Sequence, residues 1–408
     1  MLNRVWPALF LLAFFSCIYQ AINGHPEVLA ATVEACFKTA KSAVEISLGL
    51  VGVLCFWLGL FQIAEKSGLT DRLAWVLTPL FQRLMPEVPK GHPAIGSVTL
   101  NMAANMLGLD NAATPMGLKA MRDLQTLNPN PEVATNAQIL FLVINTSSIT
   151  LIPVSVFVYR AQMGAAEPAS VFLPILLTTA ASTLVGLLTV AWIQKLKLFD
   201  RVVLAYAAAF ALFMAVLISL VVGLPPTALS ERSALIGNLA IFAVIVLFLL
   251  AGWRKQVPLY DAFITGAKQG FELAVNLIPF LVAMLVAIAM LRASGVLDAF
   301  LSVLAMGFSW LGLNTDFVPA LTTAIMKSFS GSGARAMMLE TMQTYGVDSF
   351  PALIAAIIQG SSETTFYVLA VYFGAVGIRY ERYALACGLL ADFASVVVAI
   401  LIAYWFYH

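Results

Sequence analysis

This sequence predicts an all-α polytopic membrane protein, and three observations carry that prediction. Hydrophobic residues fill 61% of the 408 positions and charged residues 11%, less than half of the roughly 25% charged residues in a soluble domain. Apolar runs long enough to cross a bilayer, about 20 residues, recur along the whole chain. The chain also repeats itself. Ala40-Lys41, Glu45, Ser67-Gly68-Leu69 and Asp71 recur 227 positions later as Ala267-Lys268, Glu272, Ser294-Gly295-Val296 and Asp298. Thr146-Ser147-Ser148 and Thr150 recur 214 positions later as Gly360-Ser361-Ser362 and Thr364. The offset falls by 13, so the first copy carries 13 extra residues between the matched blocks. A duplicated apolar unit with polar clusters inside it is the pattern of a transporter-like membrane fold.

Composition also narrows the partners. A net charge of +1 provides no basic field for nucleic acid, which leaves the lipid bilayer as the expected surroundings. Cys17, Cys36, Cys55 and Cys387 show no paired spacing and read as packing residues. His25, His92 and His408 are scattered, so no metal and no resident cofactor is expected.

Nine stretches qualify as crossings: approximately 3–22, 44–64, 138–158, 170–193, 201–222, 235–252, 273–291, 352–373 and 383–407. The first, in which Arg4 comes before the apolar run, reads as a retained helix because no convincing small-residue cleavage site follows it. Four further stretches, 93–109, 112–127, 317–330 and 334–345, are apolar but short or amphipathic. Each pair flanks a polar break, Gly108-Leu109-Asp110-Asn111 in the first copy and Ser330-Gly331-Ser332-Gly333 in the second, and reads as a re-entrant hairpin. Interrupted backbone at membrane depth is tolerated only where it is buried in protein or lines a cavity. A cytoplasmic N-terminus puts 15 of the 22 Lys and Arg on the inner side, as the positive-inside rule requires. Five crossings then separate the first copy from the second. The number is odd, so the two repeats are inverted, and such repeats place a site near the midplane where they meet.

Polar clusters sit at matching places in the two copies. The first supplies Asn101, Asn105, Asp110, Asn111 and Thr114 in its hairpin, then Asn145, Thr146, Ser147, Ser148 and Thr150 in the next helix, where Pro153 removes a backbone donor. The second supplies Lys327, Ser328, Ser330, Ser332 and Arg335, then Gln359, Ser361, Ser362, Glu363, Thr364 and Thr365. Hydroxyls, amides and freed backbone groups can replace water around a polar solute or a partly dehydrated cation. The same residue types also cement membrane helices through interhelical hydrogen bonds. Glu363, read as lying in the middle of an apolar helix, is the sharpest functional candidate, since such a carboxylate costs several kcal/mol unless paired. It would bind a coupling cation, shuttle a proton or meet a solute hydroxyl; an ion pair with Lys327 or Arg335 that locks the hairpin is the plainer alternative. Lys41 with Glu45 and Lys268 with Glu272 read as i,i+4 pairs on amphipathic stretches ahead of a span. Ser67-Gly68 and Ser294-Gly295 read as helix ends.

At these residues a family resemblance becomes specific. Residues 1 to about 195 resemble the spore maturation protein A family, through Ala40 to Glu45, Phe56 to Leu60 and Asp110 to Met121. Residues from about 257 onward resemble the spore maturation protein B family, through Ser330 to Ala334, Gly346 to Phe350 and Gly360 to Gly374. The chain thus divides into 1–195, linker helices 196–256, and 257–408, and resembles a natural fusion of the two. Both families belong to a nucleoside-recognition or gate group similar to concentrative nucleoside transporters and to the membrane part of ferrous-iron transport protein B. That kinship implies paired re-entrant hairpins, two broken helices, elevator-type movement, a bacterial inner-membrane location and a tendency to form homo-oligomers. One departure is visible: Lys327-Ser328-Phe329 stands where an Arg-Pro pair is expected, and Arg335 follows the glycines.

The expected function is therefore secondary transport of a small polar solute, with nucleoside or nucleobase the class the resemblance implies. The chain is not read as an enzyme; no Walker-type loop exists, so any energy comes from a Na+ or H+ gradient or from the solute's own. Two other classes stay open: a membrane enzyme or flippase for a lipid-linked substrate, using Lys327 and Ser330 as an i,i+3 nucleophile pair, and a non-transporting envelope-assembly partner built on a transporter fold.

Overall fold

The computed structural model describes the backbone of residues 2–107, 110–147 and 150–408, and the side chains of these residues apart from 2–5 and 110–112. Ser148 and the side chains of Asp110 and Asn111 therefore lie outside the described residues.

The described residues are mainly helical. After α1 (Leu2–Ile22) come α2 (Glu27–Lys66), α3 (Leu69–Leu84), α4 (Pro93–Met106), α5 (Asp110–Gln125), α6 (Asn136–Ser147), α7 (Val154–Gln162) and α8 (Phe172–Gln194). Two helices, α9 (Arg201–Ser219) and α10 (Pro226–Arg254), lead to a second series: α11 (Leu259–Ala293), α12 (Val296–Trp310), α13 (Leu321–Phe329), α14 (Gly331–Tyr345), α15 (Phe350–Ser361), α16 (Thr365–Ala375) and α17 (Ala384–Tyr407). The two series repeat one order: a long helix, a short helix, a helical hairpin, a broken helix and an apolar closing helix. Gly68 and Gly295, matched across the repeat, both turn with φ of 71° between the long helix and the short one. That left-handed backbone suits a residue without a Cβ.

Among the described residues seven helical segments are long and apolar enough to cross a membrane. The other two expected crossings are α1, apolar over Trp6–Ile22, and the interrupted α6–α7. Several boundaries depart from the sequence reading. The spans expected at 44–64 and 273–291 belong to helices of 40 and 35 residues. Between Glu27 and Leu48 no Gly or Pro interrupts α2, and Lys41 pairs with Glu45 along it at 3.7 Å, so the amphipathic stretch simply continues the helix. The short helices α3 and α12 were not foreseen. In the second hairpin the break is Ser330 alone, in extended backbone at φ −155°; Gly331, Ser332 and Gly333 form the first turn of α14 rather than a polar gap.

The residues group into two compact units, one of Met1–Gly59, Val158–Ala166 and Phe263–Gln359, the other of Leu60–Phe157, Glu167–Ala262 and Gly360–His408. Each unit draws on both halves of the chain. In the first unit α1 is pinned by Ser16 Oγ and Gln20 Nε2, which donate to Ser294 O at 2.7 and 2.8 Å. There α2 crosses α11 closely: a Cβ on Gly270 would stand 2.6 Å from the Leu54 carbonyl oxygen and the Cys55 Cα. Arg292 ties the end of α11 to Glu340 of α14 and to Asp298 of α12.

In the second unit a continuous apolar core joins α4, α5, α6, α8, α16 and α17, with the rings of Phe141 and Tyr372 in tilted contact, 5.8 Å between centres. Lys119 and Asp123 of α5 clamp Ser97 of α4. The ten-residue loop 126–135 is four residues, 346–349, in the second copy, and supplies the largest part of the 13-residue difference. Its extra length is anchored: Val133 bridges Tyr380, Arg382 donates to Ala134 O at 3.0 Å, and the Tyr383 hydroxyl reaches Asn136 at 2.8 Å.

The close crossing yields a test. Gly270→Ala places a methyl against unyielding backbone, and overpacking of this kind costs about 1–3 kcal/mol. A lowered melting temperature in detergent is expected, while Gly307→Ala, where nothing lies within 4 Å of the added carbon, leaves it unchanged.

Candidate functional site

In the second unit the first hairpin meets the first helix break, and the second break closes on the first. Asn101 donates to Ala113 O at 2.7 Å, which ties α4 to the start of α5. Asn105 donates to the side-chain oxygen of Asn145 on α6 at 2.9 Å, and Asn145 donates back to Phe141 O at 2.8 Å. Leu151, just past the end of α6, donates its N–H to Met106 O at 3.2 Å. The first break is thus held by the hairpin's own end. The second break then closes on the first: the N–H of Glu363 donates to Thr146 O at 2.8 Å.

The hydroxyls here already have uses for their protons. Thr146 and Ser147 donate to Val143 O and Ile144 O of their own helix, and Thr179 and Thr183 of α8 donate to Ser147 O at 3.4 and 3.3 Å. Hydroxyls bonded in this way present lone pairs, so the surface they form accepts donors or cations. Ser362 and Thr364 are buried, and Thr114 is half-buried on α5.

The first unit gathers a different set, on the second hairpin. Lys327, 4% exposed, donates from Nζ to Gln359 O at 2.8 Å. Ser330 caps α14, accepting from the Gly333 N–H at 3.1 Å, and lies 3.2 Å from the Ser332 hydroxyl. The Arg335 guanidinium sits over the Tyr159 ring at 5.4 Å, within cation–π range. Arg335 Nε and Gln359 Oε1 are buried without a hydrogen-bond partner, one donor and one acceptor left open in an otherwise bonded cluster.

The structure therefore distributes the sequence candidates. Asn101, Asn105, Asn145, Thr146, Ser147, Ser361, Ser362, Glu363 and Thr364 fall in one unit; Lys327, Ser330, Ser332, Arg335 and Gln359 fall in the other. Glu363 needs correction. It lies in the non-helical segment between α15 and α16 and is exposed, not in mid-helix, because the helix opens after Ser361. Sequence reasoning passed over Arg160 of α7, which is fully buried with Nη2 2.8 Å from Asp348 and Nη1 on Val347 O. Its partner is 188 residues away, and no local pattern announces it. Asp392 of α17 was missed as well.

A duplicated helical unit, each copy with a hairpin and a broken helix lined by polar groups, defines a multi-pass membrane protein of the transporter-like class. Residues 47–165 and 274–379 match the family model described as Gate, nucleoside recognition, and the chain belongs to that family. The two matches start 227 residues apart and end 214 apart, the same offsets as the internal repeat. Spore maturation protein A of Bacillus subtilis (strain 168) is 42% identical over 182 residues, 45% of this chain and 90% of that protein. Spore maturation protein B of the same organism is 45% identical over 166 residues, 40% of this chain and 92% of that protein. The two cover different parts of the chain, as a fusion of their relatives would.

The Asn105–Asn145 bond joins the hairpin to the break and is measurable. A double-mutant cycle with Asn105→Ala and Asn145→Ala is expected to show a coupling of about 0.5–1.5 kcal/mol in unfolding free energy. Additive effects of the two changes would contradict the bond.

Proposed function

We propose that the protein is a secondary transporter of a small polar solute, a nucleoside or nucleobase, working by elevator-like movement in the bacterial inner membrane with its N-terminus cytoplasmic. The observation that carries this reading is the pair of helix breaks, with Thr150–Pro153 non-helical ahead of α7 and Ser362–Thr364 non-helical ahead of α16, bonded to one another through Glu363 and Thr146 and lined by acceptor oxygens. Discontinuous helices of this kind form solute and ion sites in transporters because their ends present fixed partial charges and unbonded backbone. Arg335 Nε and Gln359 Oε1, a donor and an acceptor without partners, suit a ring or ribose edge that offers both. The family's description supports the nucleoside class. The drive is a Na+ or H+ gradient or the solute's own, and the cytoplasmic N-terminus follows from the Lys and Arg bias.

Purified protein in liposomes, supplied with tritiated uridine, adenosine and hypoxanthine, tests the reading. Uptake of at least one above protein-free liposomes is expected. Loss of one charged hydrogen bond weakens an interaction by about 1.5–3 kcal/mol, so Glu363→Gln is expected to lower that uptake by roughly tenfold or more. Uptake unchanged in Glu363→Gln removes that carboxylate from the mechanism. Wild-type uptake no greater than the protein-free background contradicts transport of these solutes and favours an assembly role.

A further inference from the structure

The carboxylate of Asp392 has no part in the site so far described. Asp392 stands in the middle of α17, an otherwise apolar helix, and is 6% exposed. Among the described residues it is the one buried charged side chain of its unit. A carboxylate in that setting is costly, and it persists where function holds it.

Its surroundings are oxygen-rich. The Thr365 hydroxyl, at the start of α16, donates to Asp392 Oδ2 at 2.6 Å. One turn further along α17, the Ser395 hydroxyl lies 2.8 Å from that of Ser361 at the end of α15. One turn earlier stands Gly388, where a Cβ would sit 2.9 Å from Thr365 Cγ2 and 3.5 Å from Thr146 Oγ1. Ser182 of α8 donates to Ala391 O at 3.0 Å. Hydroxyls from α17 itself and from four other helices, α6, α8, α15 and α16, thus gather along residues 388–395, at the level of both breaks. The C-terminal ends of α6 and α15 are among them, and helix C-termini favour positive charge.

We propose that Asp392 is a monovalent-cation site, loaded by H+ or Na+, with Thr365 its positioning partner. As the coupling site of a carrier this rests on the transport reading; as a cation site it does not. Hard oxygen donors around one carboxylate suit either ion. The titratable groups facing it are few. Helices α6 and α8, both packed on α17, carry none. Helix α16 carries Tyr367 and Tyr372; α10 carries Glu231, Arg232 and Arg254, all exposed. Cys387, Tyr404 and Tyr407 lie on α17 itself, and Glu363 lies exposed in the adjacent break. A purely structural role, as a hydrogen-bond acceptor at the start of α16, would be retained by asparagine, whose side chain still accepts but carries no charge.

The test uses the full-length protein in detergent and needs no solute. Binding of ²²Na+ is measured by equilibrium scintillation assay, and the carboxylic-acid C=O band by infrared difference spectroscopy between buffers of about pH 6 and about pH 9, a window in which exposed carboxylates, with ordinary pKa values near 4, stay ionised and give no acid band. Wild type is expected to bind ²²Na+, which assigns sodium, or to show a titrating acid band, which assigns the proton. Asp392→Asn is expected to abolish whichever signal is present. Thr365→Val is expected to weaken it, with Thr365→Ser restoring it, and Glu231→Gln is expected to leave it intact. Neither signal in the wild type, or the same signal in a folded Asp392→Asn protein, overturns the proposal. Should Asp392→Asn fail to fold, the Thr365→Val and Thr365→Ser pair decides it, and equal signals in these two overturn it. Cation loading in a protein that moves no solute would sink the transport reading alone.

Discussion

Backbone amides and carbonyls have no water to turn to in hydrocarbon, and each one left unbonded costs several kcal/mol. A membrane helix that opens must therefore find partners for the groups it frees. Here the two breaks supply each other. The N–H of Glu363 bonds Thr146 O, and the N–H of Leu151 bonds Met106 O at the end of the first hairpin. The hydroxyls of Thr179 and Thr183 take up Ser147 O. These bonds satisfy groups that the openings free, and they hold the polar residues of the two breaks together.

The duplication follows the same logic. Each copy contributes one hairpin and one broken helix, and each compact unit takes segments from both copies. Residues of the first hairpin and the first break share a unit with the start of α16 and with α17, which come from the second copy. Residues of the second hairpin share a unit with Tyr159 and Arg160, which come from the first. A single copy would lack these partners. The bond of Arg160 to Asp348 joins one copy to the other across nearly half the chain, whereas Asn105 and Asn145 meet within the first copy.

Much of this was legible in the sequence because it rests on local composition. The spans came from apolar runs, the hairpins from short apolar pairs flanking polar breaks, and Gly68 and Gly295 from their recurrence at helix ends. The lengths of α2 and α11 were not, because the charged residues ahead of the apolar core sit on exposed turns of one uninterrupted helix. Gly331-Ser332-Gly333 reads as loop in isolation; Ser330 caps the turn and makes it helical. Glu363 was placed in mid-helix and lies instead in the open segment between α15 and α16, since hydropathy cannot mark where a helix opens. Asp392 was hidden by averaging: one carboxylate among 24 residues of α17 leaves the run apolar, and its partner Thr365 is 27 positions away. Arg160 was hidden by distance, because a buried ion pair has meaning only once its partner is known.

The central claim is that the two copies are opposed in the membrane. Asp71 and Asp298, matched across the repeat and both exposed, report on it directly. Single cysteines at these positions, in a chain whose Cys17, Cys36, Cys55 and Cys387 are replaced by alanine, can be labelled in intact and permeabilised cells with a membrane-impermeant maleimide. The account predicts that Asp298→Cys labels from outside in intact cells and Asp71→Cys only after permeabilisation. Labelling of both from the same side would contradict it.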